Sequence, residues 1–241
     1  MALKLASASD PGLERHQNED TVFVAAGYGG LDALLVVADG MGGHASGQVA
    51  SRLAVDAVRH ELSRNGGVDP DRMREVLNRA NAAVYAAAKA RSEDANMGTT
   101  LVVAAIHDAR LTVLNCGDSP AYLFRCGVAE EVYQNHSWPA EQARAGIIAP
   151  EQVPNHPLKH RLARAVGVWD QVKGYAASRD LEPGDLVLLC SDGVEEAGIT
   201  VDELHRLMEH DDLQAAVEGV IGLARERGAP DNITVAAARV E

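Results

Sequence analysis

No run in this sequence approaches the roughly 20 consecutive apolar residues that a membrane-spanning helix requires, so no such span is expected. The first ten residues carry one lysine and no sustained apolar core, which argues against a secretory signal. Cysteine is scarce and odd in number. Cys116, Cys126 and Cys190 lack metal-ligand spacing, and they read as small packing residues in a reducing compartment. The chain is therefore expected in the cytoplasm, either as it stands or as the soluble product of a longer one. Positive charge is short too. With 22 Lys and Arg against 35 Asp and Glu, the net charge is −13, which disfavours nucleic-acid and anionic-membrane partners. Neither an internal repeat nor a low-complexity segment is present.

What remains is ordinary for a globular protein: 241 residues, 46% hydrophobic and 24% charged, enough for one large domain or at most two. The organising stretch is Leu34–Ala38 followed by Asp39-Gly40-Met41-Gly42-Gly43-His44. A short β-branched run cut off by glycine reads as a buried strand that delivers Asp39 at its end. The glycines allow close backbone approach and positive φ. A carboxylate beside bare backbone, with a histidine nearby, suits a hard divalent cation. A solitary Asp-Gly corner, however, is ordinarily only a turn.

The rest of the chain supplies company for Asp39. Strands are predicted at 21–26 and 33–38 around a glycine-rich turn, and antiparallel pairing sets Asp20 beside Asp39. Helices are predicted over 45–64 and from Asp69-Pro70 onward, the second with the apolar stripe Met73, Val76, Leu77, Ala80, Val84 and Ala87. Strands at 99–106 and 111–115 lead into Gly117-Asp118-Ser119, and 121–124 and 130–133 continue the meander. From Asn135 to Gly167 the pattern is short, polar and proline-bearing, consistent with small helices and loops forming a flap. A strand at 185–190 ends in Ser191-Asp192-Gly193. A capping box at Thr200 and Glu203 starts a short helix, and a second helix ends at Gly228. Asp231 precedes a last strand at 233–238, and antiparallel pairing with 185–190 sets it beside Asp192. Five aspartates, Asp20, Asp39, Asp118, Asp192 and Asp231, thus flank strand ends. Clustered carboxylates repel in a crevice unless cations neutralise them, and a pair of divalent ions is the economical account.

Six segments, in order, carry a resemblance: Arg15-His16-Gln17-Asn18-Glu19-Asp20, Val37–His44, Gly98-Thr99-Thr100, Gly117-Asp118-Ser119, Leu189–Gly193 and Asp231-Asn232-Ile233-Thr234. The chain resembles the bacterial type 2C (PPM) metal-dependent serine/threonine protein phosphatases over nearly its whole length. That resemblance implies an α+β fold, a four-layer α-β-β-α sandwich of two antiparallel sheets flanked by helices. It also implies one catalytic domain over 1–241 with a flap-like segment at about 135–167. Two tightly bound Mn2+ or Mg2+ ions are implied, with a third bound weakly. Asp39 would bridge the pair, the Gly40 carbonyl would join it on one ion, and Asp192 and Asp231 would ligate the other. Asp20 would act directly or through water, Glu19 is a further candidate, and Asp118 would help hold the third ion. Arg15 would bind substrate phosphate, and either His44 or a metal-bound water would protonate the leaving oxygen. The implied reaction is direct attack of activated water on phosphoserine or phosphothreonine in proteins, without a phosphoenzyme. The implied setting is a monomer opposing a serine/threonine kinase. His136 is read as structural.

Two departures stand out. Pro120 occupies a place where the family commonly has arginine, and Asn135 one where aspartate is usual. Two other functions compete, a catalytically silent phosphoprotein-binding relative and a two-metal nuclease. Retention of every matched aspartate counts against the first, and the acidic charge counts against the second.

Overall fold

The computed structural model describes residues 1–42, 46–63, 67–91 and 97–241. In chain order the strands and helices are β1 (Leu3–Asp10), β2 (Thr21–Ala26), β3 (Ala33–Ala38), β4 (Gly40–Met41), α1 (Ser46–Leu62), α2 (Pro70–Arg91), β5 (Gly98–Thr99), β6 (Leu101–His107), β7 (Arg110–Cys116), β8 (Ala121–Arg125), β9 (Val128–Glu131), α3 (Trp138–Arg144), β10 (Tyr175–Asp180), β11 (Leu186–Cys190), α4 (Gly193–Glu196), α5 (Val201–Met208), α6 (Leu213–Glu226) and β12 (Ile233–Val240). Two five-stranded antiparallel sheets result, ordered β1-β12-β11-β8-β9 and β10-β7-β6-β3-β2, with β4 and β5 forming a small separate ladder.

The alternation of side chains along the strands builds three cores and hence four layers. On β3, Leu34, Val36 and Ala38 face α1 and α2, where Val58, Met73, Leu77 and Val84 meet them. Ala33, Leu35 and Val37 turn the other way and pack between the sheets against Leu123, Val187, Leu189 and Ala236. The second sheet repeats the scheme: Leu188, Val235 and Ala237 meet Leu204, Val217 and Val220 of α5 and α6. Each fully buried Leu or Val contributes on the order of 1.5–3 kcal/mol through burial. The fold is the α+β sandwich that the resemblance implied.

Local signals explain the helix starts. Asp69 caps α2 through the Arg72 N–H (2.8 Å), and Pro70 is its first residue. Thr200 and Glu203 form the reciprocal box at α5. The expected pairings hold: Thr21 lies opposite Ala38, and Cys190 opposite Val235. In the two large sheets, two strands went unforeseen, as did the short β4. β1 and β10 lie at sheet edges, and only Ala6 between them is buried, so neither carries an apolar run. β9 falls at Val128–Glu131 and not at 130–133, because Val132 closes the ladder by donating its N–H to the Ala121 carbonyl (2.9 Å). The predicted end of the first helix at Gly66 lies outside the described residues.

Candidate metal centre

All the strand ends that carry the five aspartates lie at one end of the sandwich, because each sheet is antiparallel and the β7–β8 segment passes from one to the other. Asp39, Gly40, Asp118, Asp192, Asp231, Arg15 and Glu19 line a single cavity of about 680 Å³ there. Asp20 is not part of that lining: it is 9% exposed and lies close enough to Asp39 for its charge to act on that carboxyl. Pairing alone grouped Asp20 with Asp39 and Asp192 with Asp231. The crossover residues 117–120 bring Asp118 to the same place. His44 lies outside the described residues.

The backbone around Asp39 is gripped on both sides. Thr100 Oγ1 accepts its N–H (3.0 Å), while the Thr100 N–H and Thr99 Oγ1 both donate to its carbonyl at 2.8 Å. Gly40 is needed for close approach: a Cβ there would lie 2.2 Å from the Gly47 carbonyl oxygen and 2.6 Å from that of Glu19. The Glu19 carboxylate in turn crowds Gly47, 2.1 Å from where its Cβ would stand. At the crossover, Gly117 has φ +111°, a conformation that glycine tolerates.

Several further residues brace the aspartates through hydrogen bonds that the sequence does not show. Ser191 Oγ donates to Asp20 Oδ2 (2.8 Å) and accepts the Thr234 N–H (2.9 Å), so it ties Asp20 to the β11–β12 ladder. Asn232 donates to the Pro11 and Gln17 carbonyls and accepts the Glu19 N–H, holding the 11–19 segment against β12. His136 is fully buried, and its Nδ1 accepts the Gly117 N–H (3.2 Å) just before Asp118. Burial, with Arg164 and Arg144 nearby, pushes its pKa down to about 3, so the ring stays neutral. Asn135 Oδ1 accepts the Ser137 N–H (2.8 Å), a turn bond that aspartate would make equally well. That departure therefore leaves the local geometry served.

The electrostatics fit a cation. Burial raises the carboxyl pKa of Asp39, and the neighbouring Asp20 and Asp192 charges raise it further. Asp192 is raised by burial and by Asp118 and Glu196. Asp20 is pushed up to about 6, chiefly by burial, and Asp118 to about 7 by burial and by Glu195 and Glu196. Asp192 stands at the start of α4 yet makes no side-chain capping bond. Its Oδ1, like Asp20 Oδ1, is buried without a hydrogen-bond partner among the described residues. A buried carboxylate oxygen left unpaired costs on the order of 1–3 kcal/mol or more. Two such oxygens in a crevice of like charge are what hard divalent ions satisfy. Arg15 is exposed and donates Nη2–H to Asp231 Oδ2 (2.7 Å), so its guanidinium sits at the mouth of the cavity.

Comparison with known proteins points the same way. A family model described as "Protein phosphatase 2C" matches residues 14–234. The serine/threonine protein phosphatase PstP of Mycobacterium tuberculosis is 32% identical over 241 residues, all of this chain but 45% of the relative, so the chain spans about half that protein's length. The serine/threonine phosphatase stp of Listeria monocytogenes is 32% identical over 232 residues, 94% of this chain and 92% of the relative. Among solved structures, the catalytic domain of PstP in complex with two manganese ions superposes with a TM-score of 0.85 at 32% identity, covering 99% of each chain.

Proposed function

Because the chain belongs to the protein phosphatase 2C family, we propose that it hydrolyses phosphoserine and phosphothreonine in proteins at a centre of two Mn2+ or Mg2+ ions. The observation that carries this reading is the convergence of Asp39, Asp118, Asp192 and Asp231 on one cavity, with Asp20 buried beside Asp39; Asp20 and Asp192 each hold a buried oxygen without a partner among the described residues. Asp39 and the Gly40 carbonyl would hold one ion, with Asp39 shared by the other, which Asp192 and Asp231 complete. Asp20 would support the pair directly or through water, with Glu19 beside it, and Asp118 would contribute to a third, loosely held ion. Ions so bound supply Lewis acidity: they neutralise phosphoryl oxygens and make water nucleophilic near neutral pH.

We expect no phosphoenzyme, and two buried thiols and Ser191 support that reading. Burial pushes the Cys116 thiol up to about 12 and raises Cys190 as well, so neither offers a thiolate. The Ser191 hydroxyl is committed to Asp20 and Thr234. Arg15 would clamp the substrate phosphate with its planar fork, releasing Asp231 as it does so. Arg15→Ala should raise KM for a phosphopeptide roughly 10–100-fold, the worth of a charge-assisted bond. Calorimetry should find its metal stoichiometry unchanged, and loss of metal would reassign the residue. His44 is the proposed proton donor to the leaving oxygen. We place the protein in the cytoplasm, as a monomer opposing a serine/threonine kinase. No helix among the described residues is long and apolar enough to cross a membrane.

The test is release of inorganic phosphate from phosphoserine and phosphothreonine peptides in 18O-labelled water. One label should enter each phosphate, and phosphodiesters should be untouched. A protein that binds two manganese ions yet releases no phosphate would be the silent phosphoprotein-binding relative instead.

A further inference from the structure

A second cavity, of about 860 Å³, adjoins the first and shares Met41, Gly42, His160 and Leu162 with it. Its lining differs in kind. Met97, Ala88 and Ala165 are buried in its floor, while Val168 (40% exposed) and Trp169 (44% exposed) stand open at its edge. Trp169 is one of two tryptophans in a chain that is only 4% aromatic.

The loop carrying Trp169 is held from beneath. Asn81 of α2 is 2% exposed; its Nδ2 donates to the carbonyls of Trp169 (3.0 Å) and Asp170 (3.1 Å), and its Oδ1 accepts the Gly167 N–H (2.8 Å). Gly167, at φ +88°, presses so close to α2 that a Cβ would lie 2.2 Å from Val84 Cγ1. A buried amide thus spends both its donor and its acceptor groups on fixing a loop whose tryptophan faces outward. A rigid, exposed aromatic beside an apolar pocket is the usual anchor of a recognition surface. Pre-organising it lowers the entropic cost of binding.

The rim adds charge. Lys89 and Arg161 both line this cavity, both are exposed, and neither has an ion-pair partner among the described residues. Lys89 Nζ stands 5.5 Å from the Tyr85 ring centroid. On a chain of net charge −13, these two exposed cations, in a described lining that holds no carboxylate, give the groove a local sign opposite to the whole.

We propose that this groove binds the polypeptide segment flanking the phosphorylated residue. It selects substrates with a large apolar side chain to pack on Trp169 and an acidic residue to face Lys89 and Arg161. The proposal rests on the phosphatase reading and adds the class of phosphoprotein segment. Continuity with the catalytic cavity names the occupant, because a chain whose phosphate enters the first cavity continues across the shared wall into the second.

The test uses the whole protein with two phosphoserine peptides, one flanked on both sides by leucine and glutamate, the other by alanine and lysine. The wild-type protein should prefer the first by about tenfold or more in kcat/KM. Trp169→Ala, and separately the double substitution Lys89→Glu with Arg161→Glu, should each reduce that preference several-fold. Turnover of p-nitrophenyl phosphate should stay unchanged, and Trp169→Phe should keep most of the preference. The charge-dependent part should shrink at high salt. Variants that retain the wild-type preference would overturn the proposal. Fluorescence polarisation with labelled phosphonate versions of the peptides reads binding without turnover. Loss of all hydrolysis with preserved peptide preference would therefore reject the phosphatase reading and leave the groove standing, while equal binding of both peptides would reject the groove.

Discussion

Asp39→Asn and Asp192→Asn should each lower phosphopeptide turnover by roughly 10³-fold or more, about 4 kcal/mol of barrier, and should lose tightly bound manganese in the same step. The amide keeps the size of the carboxylate, so the packing around Thr99, Thr100 and Gly40 is preserved. What it removes is the negative charge, and with it most of the attraction for a hard cation. The fold itself should not suffer. Asp39 and Asp192 are both raised in pKa by burial and by their like-charged neighbours, so in the metal-free protein they are sources of repulsion. Thermal unfolding without metal should therefore show both variants at least as stable as the parent. A variant that binds two manganese ions with parental affinity and stays inactive would take the residue out of the ligand set.

Exhaustive chelation should abolish hydrolysis, and manganese should restore it, since carboxylates alone supply no nucleophile near neutral pH. The same treatment has a readout in stability. Asp20 and Asp118 start from 3.8 and are raised to about 6 and about 7 in the folded chain. Between those limits the folded state holds more protons than the unfolded one. Metal-free stability is then highest below the unfolded pKa near 4, and it falls as the pH rises through 6 and 7. Manganese opposes this by binding the ionised folded form, worth about 2.7 kcal/mol at a hundredfold excess over Kd. The gain in Tm on adding manganese should therefore be larger at about pH 7.5 than at about pH 5. Equal gains at both would mean that the metal binds elsewhere, and hydrolysis surviving full metal removal would defeat the mechanism outright.

The sequence made this site legible wherever a strong apolar run ended in an acid. Leu34–Ala38 and Leu186–Cys190 are continuous buried strands, and their last residues deliver Asp39 and Asp192. Asp20 and Asp231 followed from strand direction alone, which the registers Thr21 to Ala38 and Cys190 to Val235 bear out. Asp118 carried no pairing signal, since its neighbours pass between sheets and do not turn a hairpin. Its place at the end of the 111–115 strand singled it out, and the resemblance supplied its role. Beyond reach were the groups that act only through tertiary contact. Ser191 looked like a turn residue, and Asn81 is a polar residue within an apolar helical stripe whose partners lie more than eighty positions away. The edge strands β1 and β10 escaped because half-buried small residues leave no period to read.

The order of the strands carries a consequence for how the protein is made. β12 is the last strand in the chain, yet it lies between β1 and β11. It leads directly from Asp231 and Asn232, whose amide fastens the 11–19 segment. On a ribosome, the β10-β7-β6-β3-β2 sheet can assemble while the other sheet still has a gap between its first strand and its interior. Closing that gap joins β1 to β12, strands far apart in the chain, a kind of contact that is slow to form. The proposed ligand set is split across the same gap, with Asp20 and Asp39 made early and Asp231 long after them. Tight capture of the ion pair would therefore wait for β12. A chain released early, before β12, would be metal-blind and silent, not an unregulated fragment loose among phosphoproteins.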